Sequence, residues 1–222
     1  MHSFLEGVLG KMRQLICLLV LSSSTLAAQL NSDGDFQLWS RFELDSKIRS
    51  SLSSRLVSEG RWGDHASLLY FAYIQAQLVY ATKWLEIAPG YRGSFFLRRP
   101  RWIPIHNPML DITLFFPGHW RIEDRSRIFY AISEEEPPFW IYRNRVRLIS
   151  PKVSCFYKVS FFIDEEVFFV ERRGFMENRI GIGILKEISS TLHIQANYLY
   201  RNLKIDDWTF QNILFLGLFF KY

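Results

Sequence analysis

A membrane-spanning β-barrel is the fold class this sequence predicts, on three observations. Apolar and polar residues alternate with a period of two along most of the chain, aromatic residues make up 17% of it, and its mean hydropathy is close to zero. Alternation is the pattern of strands with two unlike faces. So rich an aromatic content exceeds that of an ordinary globular enzyme, while neutral hydropathy is far too polar for a bundle of membrane helices. The 222 residues contain no linker-like or charge-block segment, so one domain is expected.

The amino end reads as an export signal. Lys11 and Arg13 precede the apolar run Leu15 to Leu21, and "SSSTLAAQ" supplies small residues for cleavage after Ala27 or Ala28. Residues 1–28 are therefore expected to be a signal peptide and residues 29–222 the barrel, with Met1 or Met12 as the start. The alternative, an uncleaved anchor, is disfavoured because the apolar run is short for a spanning helix. Cys17 lies inside that run rather than after a small residue at its end, which argues against a lipoprotein. Loss of residues 1–27 removes Lys11, Arg13 and Glu6, taking the net charge from +5 to +4. The remaining basic residues are dispersed among strand patterns without a nucleic-acid-binding module, so no nucleic-acid partner is expected. Cys155 is then the only cysteine, which excludes an intrachain disulfide and a cysteine-ligated metal; no metal or cofactor is expected.

The strands follow in order. "FQLWSRFELD" sets Phe36, Leu38, Phe42 and Leu44 against Gln37, Arg41, Glu43 and Asp45. "MLDITLFFP" sets Leu110, Ile112, Leu114 and Phe116 against Asp111 and Thr113, and "FWIYRNRVRLI" sets Trp140, Tyr142, Val146 and Leu148 against Arg143, Arg145 and Arg147. "STLHIQANYLYR" repeats the arrangement with Leu192, Ile194, Ala196, Tyr198 and Tyr200 on one face. Further strands are expected near 48–59, 66–79, 82–92, 94–105, 119–131, 153–171 and 178–187, with turns signalled by "EGRWGD", "APG", "HNP", "FPG", "SEEEPP" and "ERRG". About eleven strands result. Bacterial single-chain barrels are even-numbered, which raises the expectation to 12 in an antiparallel up-and-down barrel, with 10 as the alternative. Two stretches also fit helices: the uncharged run Ala66 to Thr82, and "SKIRSSLSSRLVSEG". Their β-branched, aromatic and small residues favour strands.

A soluble sandwich alternates too, so the aromatic positions matter. Trp39, Trp62, Trp84, Trp102, Trp120, Trp140, Tyr198, Tyr200, Trp208 and Tyr222 fall near strand ends, where the interfacial girdles of a membrane barrel lie. Backbone groups in hydrocarbon must all be paired, so the last strand has to close on the first. The final segment, "NILFLGLFFKY", places Leu214, Leu216, Leu218, Phe220 and Tyr222 on one face, with Gln211, Gly217 and Lys221 turned inward.

That ending resembles the carboxyl-terminal signature of Gram-negative outer-membrane barrels, in which a terminal aromatic and alternating apolar residues are read by the barrel-assembly machinery; Tyr222 replaces the commoner Phe. The chain from residue 36 onward also resembles the DUF2490 family of uncharacterised exported proteins, through "FQLWSRFEL", "WRIEDRSRIFY", "YRNRVRL", "ENRIGIGI" and "ANYLY". The resemblance implies a barrel in the outer membrane, contacting its lipid and the assembly machinery. It implies no activity.

Chemistry is sought on the inward faces. Arg121, Glu123, Arg125 and Arg127 share one face of a strand and Arg143, Arg145 and Arg147 one face of the next, with Glu177 and Arg179 beyond them. These side chains are expected to converge in the lumen. There they form either a packed Arg/Glu network or the lining of a narrow, anion-preferring passage. Asp124 and Ser126 then fall on the lipid face, which suggests a bulge or a position outside the apolar band. The histidines His65, His106, His119 and His193 sit in no catalytic motif, and Asp164, Glu165, Glu166 and the Glu134 to Glu136 run suit divalent-cation binding or arginine pairing better than acid–base catalysis. The expected function is structural or small-solute passage, with no enzyme activity. An outer-membrane enzyme acting on lipid or peptide, or a soluble periplasmic barrel that binds a ligand, are the alternatives.

Overall fold

The structure is a computed structural model that describes residues 33–98, 101–153, 159–204 and 207–222. The expected signal peptide, its cleavage site and Cys155 lie outside the described residues. Eleven strands form one closed sheet: β1 (Asp35–Arg49), β2 (Leu52–Gly63), β3 (Leu68–Ala81), β4 (Leu85–Arg98), β5 (Arg101–Phe116), β6 (Arg121–Ala131), β7 (Phe139–Ile149), β8 (Val159–Val170), β9 (Gly174–Glu187), β10 (Leu192–Lys204) and β11 (Trp208–Lys221).

Each strand pairs antiparallel with its neighbours in sequence, and β11 closes on β1. Because the count is odd, that closure is parallel, from Asp35 opposite Gln211 to Asp45 opposite Lys221. The number falls between the expected 12 and 10, and its cause lies in one place. The sequence reading split 82–117 into three strands at "APG" and "HNP"; the chain makes two, β4 and β5. Pro89, Gly90, Pro104 and Pro108 all lie inside strands there. Elsewhere, Ala66 to Thr82 yields β3, and residues 48–59 divide between the end of β1 and β2.

The β2–β3 turn departs most from ordinary backbone geometry. Asp64, His65 and Ala66 all have positive φ, at 52°, 57° and 62°. Consecutive residues in that region are costly without outside support. The buried Asp35 carboxylate supplies it, accepting hydrogen bonds from the backbone N–H of Asp64 (3.2 Å) and His65 (3.0 Å).

The two faces of the sheet differ as the alternation requires. Ile74 (59% exposed), Leu78, Val146, Ile163, Ile182 (62%), Leu216 and Leu218 point outward. Glu59, Gln75, Asp111, Arg127, Arg143, Glu166 and Arg201 point inward and are buried. Trp62, Trp102, Trp140 and Trp208 lie outside at one end of the barrel, and Trp84, Trp120 and Tyr222 at the other. Trp39 corrects the expected girdle: it is only 2% exposed and packs inside with Leu199, Ile213 and Phe215. Its position between Gln37 and Arg41 on the inward face of β1 accounts for this, since alternation outweighs the residue type. The expected bulge at Asp124 and Ser126 is absent, because β6 keeps an unbroken register with β5 and with β7. Both face outward, where Asn144 donates to Asp124 Oδ1 (2.6 Å) and Ser126 Oγ (3.3 Å), and the Tyr142 hydroxyl meets Ser126 at 3.0 Å.

Candidate functional site

The barrel interior is built from the inward half of each strand. On β6 and β7 the register places Arg125 opposite Arg145 and Arg127 opposite Arg143, so four guanidiniums meet on one wall. Two like charges directly opposite each other destabilise a strand pair unless they are compensated. Compensation comes from β5 and β8. Asp111 accepts both Nε and Nη2 of Arg127, and Asp164 accepts Arg147 at 2.8 and 2.5 Å. Gly181 makes room for the second pair: a Cβ on it would stand 2.2 Å from Asp164 Oδ1.

Glu166 is the hub of the wall. Its carboxylate lies 2.6 Å from Arg143, 3.1 Å from Arg179 and 3.3 Å from Arg125. On β2 Glu59 holds Arg41 (2.6 Å) and Arg61 (2.7 Å), and on β9, next to β8, Glu177 holds Arg201 (2.8 Å) and also Arg179. Trp39 sits among these cations, with the Arg61 guanidinium 3.8 Å from its ring centre and that of Arg179 at 4.7 Å. Such cation–π contacts contribute roughly 0.5–2 kcal/mol each, more where water is excluded.

The network divides the lumen. A central cavity of about 320 Å³ and one of about 620 Å³ towards the β4–β5 turn are both walled by Arg61, Arg143 and Arg179. These three form a septum with Trp39, Glu59 and Glu166. A third cavity, of about 500 Å³, lies at the opposite mouth, bounded by Arg121, Lys152, His193 and Lys221.

Compensation is incomplete at two points. Arg145 lines the central cavity and makes no ion pair within 4 Å among the described residues. Its Nε, like those of Arg125 and Arg143, is buried without a hydrogen-bond partner. Arg92, on β4, is also buried with no carboxylate in range; its Nε and Nη2 donate to Gln75 Oε1 at 3.0 and 2.6 Å, and it stacks on Tyr73 (4.0 Å) and Phe129 (4.7 Å). The central cavity is lined by ten basic side chains and six acidic ones, so the charge surplus is positive.

The expected site residues Arg121, Glu123, Arg125, Arg127, Arg143, Arg145, Arg147, Glu177 and Arg179 therefore all lie on the inward face. They do not form one ladder. Arg121 and Glu123 pair at 3.0 Å at one mouth, Arg125 to Arg147 form the wall, and Glu177 and Arg179 belong to the septum and the larger cavity. Sequence reasoning missed Glu59, Arg61, Arg92 and Arg201. Glu59 and Arg61 fall in "EGRWGD", which reads as a turn, and Arg92 and Arg201 stand at the ends of their expected strands, so no run marked them.

The acidic cluster and the histidines take other places. Asp164 and Glu166 point inward into ion pairs, while Glu165 points outward and accepts from Asn178 at 3.0 Å. His106 faces outward against the Tyr91 hydroxyl, His65 is in the β2–β3 turn, and His119 and His193 border the third cavity. Among the described residues no group of three or more His, Cys, Asp and Glu side chains is placed to hold a metal ion.

On the closing strand, Leu214, Leu216 and Leu218 face outward, with the Phe220 ring tilted against Phe42 of β1 (5.2 Å between ring centres). Tyr222 exchanges backbone hydrogen bonds with β1, its N–H donating to Asp45 O (2.9 Å) and its carbonyl accepting from Lys47 N–H (2.7 Å).

No curated protein matches the chain. The family model described as a protein of unknown function (DUF2490) matches residues 36–210, from the second residue of β1 into β11, and the chain belongs to that family.

Proposed function

We infer that this protein is an integral outer-membrane β-barrel whose charged septum restricts the lumen to small solutes, with preference for anions. The observation that carries the reading is the inversion of polarity across the sheet: a mostly apolar exterior, interrupted on β6–β9 by the mutually hydrogen-bonded Asp124, Ser126 and Asn144 and by Glu165 with Asn178, around an interior of paired arginines and carboxylates. In water that exterior would leave a very large apolar surface exposed, whereas in a bilayer it is solvated by lipid. Strands of 11 to 16 residues exceed the roughly 9–11 residues that a tilted strand needs to span hydrocarbon. Belts of Trp at both ends supply interfacial anchors.

Anion preference rests on Arg125, Arg143 and Arg145, whose positive charge exceeds what Glu166 and its neighbours neutralise. No enzyme activity is proposed, because the inward carboxylates are engaged by arginines and the four described histidines are scattered over both rims and the outer face.

Membrane extraction followed by a heat-modifiability gel tests the barrel. The folded form should migrate differently from the boiled form, and recovery of the unboiled protein as a soluble monomer would sink the proposal. Planar-bilayer recording tests the lumen. Small currents that favour chloride over potassium are expected, and Arg145→Gln should reduce that preference; a large, non-selective conductance would contradict a septum.

A further inference from the structure

The ladder between β5 and β6 is interrupted at Pro108. Their register runs unbroken from Phe116 opposite Ile122 to Met109 opposite Phe129, and then only an isolated bridge follows, His106 opposite Ile132. The bridge keeps the same register, so Pro108 stands opposite Tyr130 and Asn107 opposite Ala131 with no ladder between them. His106 exchanges both backbone bonds with Ile132, each 2.9 Å, so the even-numbered residues of this stretch of β5 aim their backbone groups at β6. Pro104 and Pro108 are even-numbered and have no N–H to offer. Beyond the bridge β5 faces a non-strand segment containing Pro137 and Pro138.

Behind this seam lies the 620 Å³ cavity, within the roughly 300–1,000 Å³ range of small-molecule sites. Residues from both sides of the gap reach into it, Ile103, Ile105 and Asn107 from β5 and Phe129 and Ala131 from β6, and Phe71, Phe96, Phe139 and Ile141 extend the apolar lining. Arg92, the buried guanidinium without a carboxylate, lines the same cavity. The rest of the lining is the charged septum, with Arg143, Arg179, Glu177 and Arg201, so the cavity is apolar on its β3–β7 side only. That apolar wall with an uncompensated cation, behind a seam short of one hydrogen bond, fits a ligand that is greasy along its length and anionic at one end.

We propose that the cavity binds a long-chain fatty acid, which passes sideways from the bilayer between β5 and β6 and sets its carboxylate against Arg92. Sideways access rests on the membrane reading above. A carboxylate would give Arg92 the charge-assisted partner it lacks, and the phenylalanines would hold the chain. Outward of the seam, Arg98 and Arg101 at the tip of the β4–β5 hairpin both bind Glu135, Arg98 at 2.7 Å, and tie the hairpin to the segment across the gap. Unpaired backbone is tolerated at membrane depth where it borders a cavity, which is the setting here.

The test uses the full chain carrying Cys17→Ser and Cys155→Ser, reconstituted in phosphatidylcholine nanodiscs and exposed to a diazirine-bearing hexadecanoic acid. Photolabels should map to inward residues such as Ile103, Phe129 and Ile141. Adding Asn107→Cys with Ala131→Cys lets an oxidised disulfide bridge the gap. Inward labelling should then fall to background and return on reduction. Pro108→Val, which supplies the missing donor, should slow labelling without cysteines. Arg92→Gln should weaken labelling about tenfold, the loss of one charge-assisted hydrogen bond, and abolish the preference for the acid over the matching alcohol. Labels confined to outward residues such as Ile128 and Tyr130 in a heat-modifiable, inserted protein would overturn the site alone. Unchanged inward labelling with both seam variants would overturn sideways access. A chain that does not insert overturns the membrane reading and sideways access with it.

Discussion

Two seams of the same barrel are made to opposite standards. Between β1 and β11 the pairing runs without interruption from Asp35 and Gln211 to Asp45 and Lys221, and backbone bonds from Gly34 to Phe210 and between Tyr222, Asp45 and Lys47 extend it at both ends. Between β5 and β6 it is interrupted at Pro108 and resumes in the same register at the His106–Ile132 bridge, beyond which an ion-paired glutamate ties the two sides. The first seam is where the ends of the sheet meet, and parallel pairing is slightly weaker per residue than antiparallel pairing, so completeness matters most there. The second is flanked by continuous chain on both sides and borders a cavity. A barrel can carry a weak seam only where it is not also the point of closure.

This contrast can be broken from either side. The largest effect is expected from moving the defect to the closing seam. Leu214→Pro, in the middle of β11, removes a ladder donor and strands its acceptor in the sheet, at a combined cost of about 2–4 kcal/mol, with loss of the heat-modifiable form on gels. Deleting Tyr222 should be milder, because it removes two backbone hydrogen bonds, each worth about 0.5–1.5 kcal/mol. A lower urea midpoint and a reduced yield of inserted barrel are the measurements. Pro108→Val should raise stability by about 0.5–1.5 kcal/mol through one new hydrogen bond to β6 and slow amide exchange at Ile132. The smallest effect is expected from Glu135→Gln, which should speed exchange at Ile132 and leave the urea midpoint unchanged.

Acid should act as Glu135→Gln does. Hydrogen bonding from Arg98, joined by the charge of Arg101, holds the Glu135 carboxyl below its ordinary pKa. A lowered folded-state pKa makes the tie complete above the ordinary glutamate range and lost as pH falls through the lowered value. Exchange at Ile132 should therefore be flat near neutrality and rise only in acid. A rise at neutral pH would mean that another group holds the seam.

The interior was partly legible. Arg125, Arg143, Arg145 and Arg147 could be placed together from spacing alone, because a strand puts every second residue on one face. That Arg125 faces Arg145, that Glu166 serves three guanidiniums and that Trp39 is their platform depend on register between strands, which local sequence does not carry. The β4–β5 hairpin was misread for the same reason. Pro89, Pro104 and Pro108 are turn residues by local preference, but a strand tolerates them where the partner's demand for a donor can go unmet.

The sequence by itself determined which side chains face outward and which face the lumen, since the two-residue period is a local property of the extended backbone. It also determined the greasy, aromatic ending that closes the sheet. The tertiary structure alone decided the odd strand number, the parallel closure, the septum and the interrupted stretch of seam. Each of these depends on which residue stands across from which, and that is settled only when separate strands meet.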